Sequence, residues 1–130
     1  SNLVKSINEV VSNVNDVKYN LVTDGSAVKT GRKIDGKDEW IRRYSFSNVV
    51  QGTNIVDPGF TVSDVIVTGI SGVIMSNVNN TFNLDTANFN SGDNYCYLNY
   101  TENKIVLQCQ TANYSSAIVD VKYIEKGDVS

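Results

Sequence analysis

The residues best suited to chemistry in this 130-residue chain lie between Met75 and Asn94 and just beyond. Asn79, Asn80, Asn88 and Asn94 supply side-chain amides, Asp85 and Asp93 supply carboxylates, and Tyr95 supplies a flat aromatic ring. Amides and carboxylates hydrogen-bond hydroxyl groups, and an aromatic face stacks on an apolar sugar face. That mixture suits carbohydrate binding better than catalysis. The stretch is long and polar for a connection, and such loops on a rigid scaffold tend to carry function. Tyr97, Tyr100, Tyr114 and Tyr123 follow nearby, although tyrosine is also a favoured strand residue.

Other chemistries are poorly supported. The chain has no histidine, so histidine triads, histidine zinc sites and histidine general bases are excluded. Glycoside hydrolysis needs two carboxyl groups at set separations across a cleft. Asp57, Asp64, Asp85, Asp93 and Glu102 all fall at loop edges without a recognisable constellation. Calcium is conceivable near Asp85 and Asp93, but no EF-hand spacing is present. The expectation is a non-enzymatic protein without a cofactor or resident metal.

A formal net charge of −3 argues against a nucleic-acid partner. No apolar run approaches membrane-spanning length, so membrane insertion is not expected. Cys96 and Cys109 read as two small apolar residues in a reduced core, with a cross-strand disulfide as the alternative.

The elements that must position these groups are of two kinds. Leu3, Ile7, Val10, Val14, Val17 and Leu21 recur at alternating steps of four and three, a heptad stripe with few other apolar residues around it. A stripe this narrow calls for copies of itself or for one groove on the following domain; β-branched residues at both core positions favour the former, with three or more strands. Residues 1–22 are therefore expected to be a short coiled-coil stalk that drives oligomerisation. The heptads are already in phase at Ser1-Asn2, which suggests a piece of a longer fibre.

From residue 23 the helical period gives way to short apolar runs separated by Gly, Asn and Asp, the pattern of an all-β fold. Residues 23–130 are expected to form an antiparallel β-sandwich of jelly-roll type. Asp35-Gly36 marks a two-residue hairpin turn, and Asp57-Pro58-Gly59 marks another turn. In Asp38–Phe46 the alternation puts Trp40, Arg42, Tyr44 and Phe46 on one face and Ile41, Arg43 and Ser45 on the other. Gly69 and Gly72 in the β-branched run Asp64–Ile74 suggest a bulge or bend. Thr81–Leu84 forms a short strand. Tyr95–Tyr100 and Lys104–Cys109 form a tight hairpin; if Glu102-Asn103 is its turn, Cys96 faces Cys109 and Leu98 faces Leu107. In the last strand, Ala117, Val119, Val121 and Tyr123 alternate with Ile118, Asp120, Lys122 and Ile124.

The segment Thr30-Gly31, Ile34-Asp35-Gly36-Lys37, Trp40, Arg42 and Phe46 resembles a motif of bacteriophage and prophage tail-fibre proteins. The β-rich Asp64–Gly72, then Asn103–Leu107, then Val119–Lys126 continue the resemblance in order across most of residues 28–126. Trp40 stands where a tyrosine is more usual, and Met75–Asn94 replaces a Pro-rich stretch. The resemblance implies a receptor-binding head, homotrimeric on a fibrous stalk, carried on the virion tail fibre or baseplate. Its partners would be host cell-wall or surface glycan and other tail or baseplate proteins. The alternatives are a structural fibre module without glycan binding and a polysaccharide-degrading tail spike.

Overall fold

A computed structural model describes residues 25–84 and 94–127. The expected stalk, with Leu3, Ile7, Val10, Val14, Val17 and Leu21, lies outside the described residues, as do Asp85, Asn88 and Asp93. The described chain is all-β. Its strands are β1 (Val28–Ile34), β2 (Lys37–Val49), β3 (Gly52–Val56), β4 (Val65–Met75), β5 (Thr81–Asn83), β6 (Asn94–Asn99), β7 (Lys104–Cys109) and β8 (Tyr114–Glu125). A single 3-10 turn, Val62–Asp64, precedes β4. The strands make two antiparallel sheets, one of five strands in the order β1-β2-β8-β4-β5 and one of three in the order β3-β7-β6. One sheet is curled as a half-barrel.

Turn chemistry sets the first hairpin. Ile34 pairs with Lys37 across Asp35-Gly36, and both turn residues have positive φ, 52° and 75°. Two positive φ angles match the right-handed twist of the flanking strands, which is why Asp-Gly works here.

The long central strands fix which side chains face inward. In register, Trp40 meets Tyr123, Arg42 meets Val121, Tyr44 meets Val119 and Phe46 meets Ala117. These alternate with Ile41–Lys122, Arg43–Asp120 and Ser45–Ile118 on the opposite face. The three-stranded sheet contributes Cys96, Ile105, Leu107 and Cys109, which join Tyr44, Phe46, Ile74, Val119 and Val121 in one buried cluster. The period-2 partition expected from sequence holds from Trp40 to Phe46 and from Ala117 to Tyr123; beyond it Asn48, at φ 52°, lets Val49 turn into the core.

Both glycines in β4 have a physical role. The register with β8 shifts between Val67 and Gly69, a bulge at the expected place. At Gly72 the backbones approach closely: a Cβ there would lie 2.5 Å from the Ile118 carbonyl oxygen and 2.8 Å from Leu84 Cδ1. The amide of Leu84 also bonds to the Gly72 carbonyl at 3.0 Å.

The hairpin β6–β7 differs from expectation. Asn99 pairs with Lys104, so the turn is Tyr100–Asn103 rather than Glu102-Asn103 alone. Asn99 Oδ1 accepts from the Glu102 amide at 3.0 Å, and Asn103 adopts φ 56°. The longer turn moves the register by two residues. Cys96 therefore faces Leu107, and Cys109 faces Asn94. A two-residue slip keeps every side chain on its face, so both cysteines still reach the core, but as separate free thiols.

Candidate functional site

Of the amide residues singled out from sequence, the described ones, Asn79, Asn80 and Asn94, gather at one end of the sheets. Asn79 and Asn80 occupy the β4–β5 turn, where Asn79 has φ 66° and the Ser76 amide donates to the Asn80 carbonyl at 2.8 Å. Both are exposed. Asn94 opens β6 and donates Nδ2 to the Tyr114 hydroxyl at 2.8 Å, while Ser115 Oγ donates to the carbonyls of Met75 and Ser76. These bonds tie the turn and the start of β6 to the start of β8. Tyr95 is only 7% exposed, with its ring 6.0 Å from that of Tyr97, so it offers no open face to a ligand.

The opposite end is built differently. There the connection from β3 to β4 is held by side chains from two other segments and by one of its own. Tyr44 donates its buried hydroxyl to the Pro58 carbonyl at 2.6 Å. Asn103, in the β6–β7 turn, accepts from the Val62 amide at 2.7 Å and donates to the Phe60 carbonyl at 3.1 Å. Asp57 accepts from the Gly59 amide at 2.9 Å, an Asx turn. The result is to fix Phe60 against Tyr123, ring centroids 4.6 Å apart, with the Arg42 guanidinium 6.0 Å from the Phe60 ring. Arg42 also donates to the Gly25 carbonyl. Arg43, on the other face, makes a two-pronged ion pair with Asp120 at 2.8 and 3.0 Å. The two adjacent arginines thus point to opposite faces, as the alternation requires.

Two basins open at this end. One, of about 570 Å³, is lined by Phe60, Thr61, Ser63, Asp64 and Val65 from the connection and by Tyr123, Glu125, Lys126 and Gly127 from β8 and its exit. The other, of about 320 Å³, is lined by Trp40, Asp38, Lys37, Gly36 and Lys33 from the first hairpin. Glu125 and Gly127 line both, so the basins are neighbours. Pockets of roughly 300–1,000 Å³ accommodate small organic ligands.

No family model, curated protein or solved structure matches the chain.

The charges around the basins are unequally committed. Lys29 and Lys33 hold Asp38 at 3.3 and 3.4 Å and keep its carboxyl below the ordinary value of 3.8. Lys37 donates its ammonium to the Lys126 carbonyl. Among the described residues, the side chains of Asp64, Glu125 and Lys126 have no such partner, leaving two hydrogen-bond-accepting carboxylates and one ammonium free for a ligand.

Groups with displaced pKa values are displaced away from neutrality. Burial pushes the thiols of Cys96 and Cys109 up to about 12 and about 11, and also raises the Tyr44 and Tyr123 hydroxyls. The Thr68 hydroxyl chiefly, with Thr30, Arg32 and Lys122, lowers Glu39 against the opposing effect of burial. Six groups therefore keep their ordinary protonation states at neutral pH. Among the described residues no group of three or more Cys, Asp or Glu is placed to hold a metal ion.

Sequence reasoning passed over Phe60 and Glu125, and weighed Asp64 only as a loop-edge acid without a partner. A signal for Phe60 was present: an aromatic directly after Asp57-Pro58-Gly59 sits at the exit of a turn, where it folds back over the sheet end. Asp64 and Glu125 carry no local signal, because they are brought together only by the Val65–Glu125 pairing of β4 with β8.

Proposed function

We propose that this chain is the head of a bacteriophage tail-fibre or receptor-binding protein, trimeric on a fibrous stalk, that adheres to polysaccharide on the host surface. The observation that carries the reading is the pair of neighbouring basins, one lined by Phe60, Tyr123 and Asp64 and the other by Trp40, with Glu125 in both. Aromatic faces beside hydrogen-bond acceptors are what a hydroxyl-rich, partly apolar ligand requires. The ordered resemblance of residues 28–126 to tail-fibre heads supports the phage assignment, and the heptads of residues 1–22 support the trimer. On this reading the head is a jelly-roll-like sandwich of the virion, assembled with other tail or baseplate proteins and acting without catalysis. Three copies would raise the effective concentration of each weak site for a repetitive polymer.

A structural fibre module is the second reading. It is favoured by Ile66 and Ile118, half-exposed apolar residues on the outer face of the five-stranded sheet.

The test is a glycan array of host-type polysaccharides probed with the full 130-residue chain, paired with light scattering. Binding to a defined polysaccharide by a trimer is expected. Silence across the array with a trimer in solution would leave the structural module, and a monomer at micromolar concentration would remove the trimer.

A further inference from the structure

We infer that the β6–β7 hairpin has two registers and that the oxidation state of Cys96 and Cys109 during folding selects between them. The reduced chain takes the register of the present structure. A chain folding among small-molecule disulfides takes one shifted by two residues and closed by a Cys96–Cys109 disulfide.

Four observations carry this. First, the thiols share a face but not a level. Cys96 faces Leu107, Cys109 faces Asn94, and both cysteines belong to the buried cluster. They are diagonal neighbours, and diagonal Cβ atoms lie too far apart for a disulfide, which needs about 3.5–4.5 Å. A slip by two residues sets Cys96 directly opposite Cys109 and Leu98 opposite Leu107.

Second, that place on β7 is of the close kind. Asn54 on β3 donates Nδ2 to the Leu107 carbonyl at 3.3 Å, so this carbonyl points to β3. The strand repeats every two residues, so the Cys109 carbonyl points to β3 as well. The β6 residues opposite Leu107 and Cys109 are therefore non-hydrogen-bonded partners, whose side chains approach most closely. A two-residue slip preserves that class.

Third, β6 can slide without breaking a second ladder. It is the edge of the three-stranded sheet and pairs with β7 alone among the described residues. The slip moves Tyr100 and Thr101 out of the turn to pair with Ile105 and Lys104, and leaves Glu102-Asn103 as a two-residue turn. Asn103 already has the positive φ, 56°, that such a turn requires of its second residue.

Fourth, the present register is imperfect where the disulfide would form. Asn94 lies opposite the buried Cys109, and among the described residues its Oδ1 is buried with no hydrogen-bond partner. Such an acceptor destabilises the register that buries it. The slip puts Cys96 in its place and brings Tyr100, 68% exposed in the turn, to the inner face. Against the slip stand the Asn99 bond to the Glu102 amide, the Asn94 bond to Tyr114, and the contact of Tyr97 with Val106, where Asn99 would come instead. These hold the reduced chain in the longer turn, and a covalent bond reverses the balance.

The bond forms by thiol–disulfide exchange before the sheets close over the thiols. One cysteine thiolate attacks oxidised glutathione and releases a first reduced glutathione. The other thiolate attacks the resulting mixed disulfide at the protein sulfur and releases the second. Two protein thiols give up two protons and two electrons, and one oxidised glutathione becomes two reduced ones.

The experiment unfolds and reduces the full chain, then refolds it in parallel with dithiothreitol and with mixed reduced and oxidised glutathione. The first product should show a nuclear Overhauser contact between the Hα atoms of Cys96 and Leu107. The second should be folded by circular dichroism, lighter by two hydrogens, and show the contacts Cys96–Cys109 and Leu98–Leu107 instead. Cys109→Ser should take the reduced register in both media. Asn99→Ala removes the acceptor that holds the longer turn and should raise the ratio of bridged to reduced chain about fivefold at a fixed glutathione ratio.

A bridged chain that keeps the Cys96–Leu107 contact would overturn the second register. Refolding in glutathione to free thiols, to a mixed disulfide, to disulfides between chains or to a bridged but unfolded chain would overturn the selection by oxidation state.

Discussion

Thr68 donates its hydroxyl to Glu39 at 2.7 Å across the whole width of β8, the strand that separates their own two. Thr30 donates to the other carboxylate oxygen at 2.9 Å from β1. Each threonine sits where its strand breaks register, between Lys29 and Lys33 in β1 and between Val67 and Gly69 in β4. The irregularities aim two hydroxyls at a carboxylate that is 1% exposed. Arg32 stands 3.9 Å away and contributes a weaker attraction. A buried carboxylate is tolerated when its oxygens are satisfied, and here both are.

Glu39→Ala should therefore lower unfolding free energy by about 2–3 kcal/mol, because two hydrogen bonds to a charged group are lost. Urea denaturation at neutral pH measures it. An unchanged midpoint would mean that the clamp contributes nothing net.

The same group makes stability depend on pH, with a definite sign. Its folded-state pKa is depressed below the ordinary 4.5, chiefly by Thr68. The unfolded chain thus binds the proton more readily, and the contribution is complete above about pH 4.5 and lost as pH falls through the folded value. The stability gap between the wild type and Glu39→Gln should narrow as pH is lowered from about 7 towards 3. A gap that widens on acidification would reverse the assignment.

Gly72 and Gly69 should respond oppositely to alanine. A Cβ at Gly72 meets backbone at 2.5 Å, so Gly72→Ala should cost about 2–3 kcal/mol or more. At Gly69 the nearest atom is the Lys122 side chain at 3.9 Å, so Gly69→Ala should be neutral or stabilise by up to about 1 kcal/mol. Thermal melts of the two variants provide the comparison.

Both thiols should resist labelling in the native state. Cys96 and Cys109 are buried, and their raised pKa values leave almost no thiolate at pH 8. Ellman's reagent should react only as the chain unfolds and should then count two thiols. Fast native labelling of either would place it at the surface.

Tyr44→Phe removes the bond to Pro58 and should cost about 1–1.5 kcal/mol. Urea denaturation measures it, and an unchanged midpoint would show the tether to be idle.

Much of this architecture could be read from residue order. Residues 40–46 in β2 and 117–123 in β8 alternate, so Tyr44 and Val119 were assignable to one face and Arg43 and Asp120 to the other. Asp35-Gly36 announced its turn. The β6–β7 register was not legible, because Asn99 caps a longer turn through its own side chain, and nothing in Thr101-Glu102-Asn103 distinguishes a two-residue turn from a four-residue one. Polar composition drew attention to the Asn-rich stretch, whereas the basins arise from long-range pairing. Phe60, Trp40 and Glu125 come from three separate parts of the chain, and local pattern cannot report that meeting.

The place of β8 has a consequence for biosynthesis. It is the last of the described strands in chain order, yet it lies in the middle of the five-stranded sheet, paired with β2 on one side and β4 on the other. As the chain leaves the ribosome, β2 and β4 emerge with no seam to join them. The sheet can close only after Tyr114–Glu125 has been made. Folding is then a single late event rather than a growing structure, and a nonsense codon anywhere before residue 114 yields a polypeptide with unsatisfied strand edges, the kind that aggregates or is degraded.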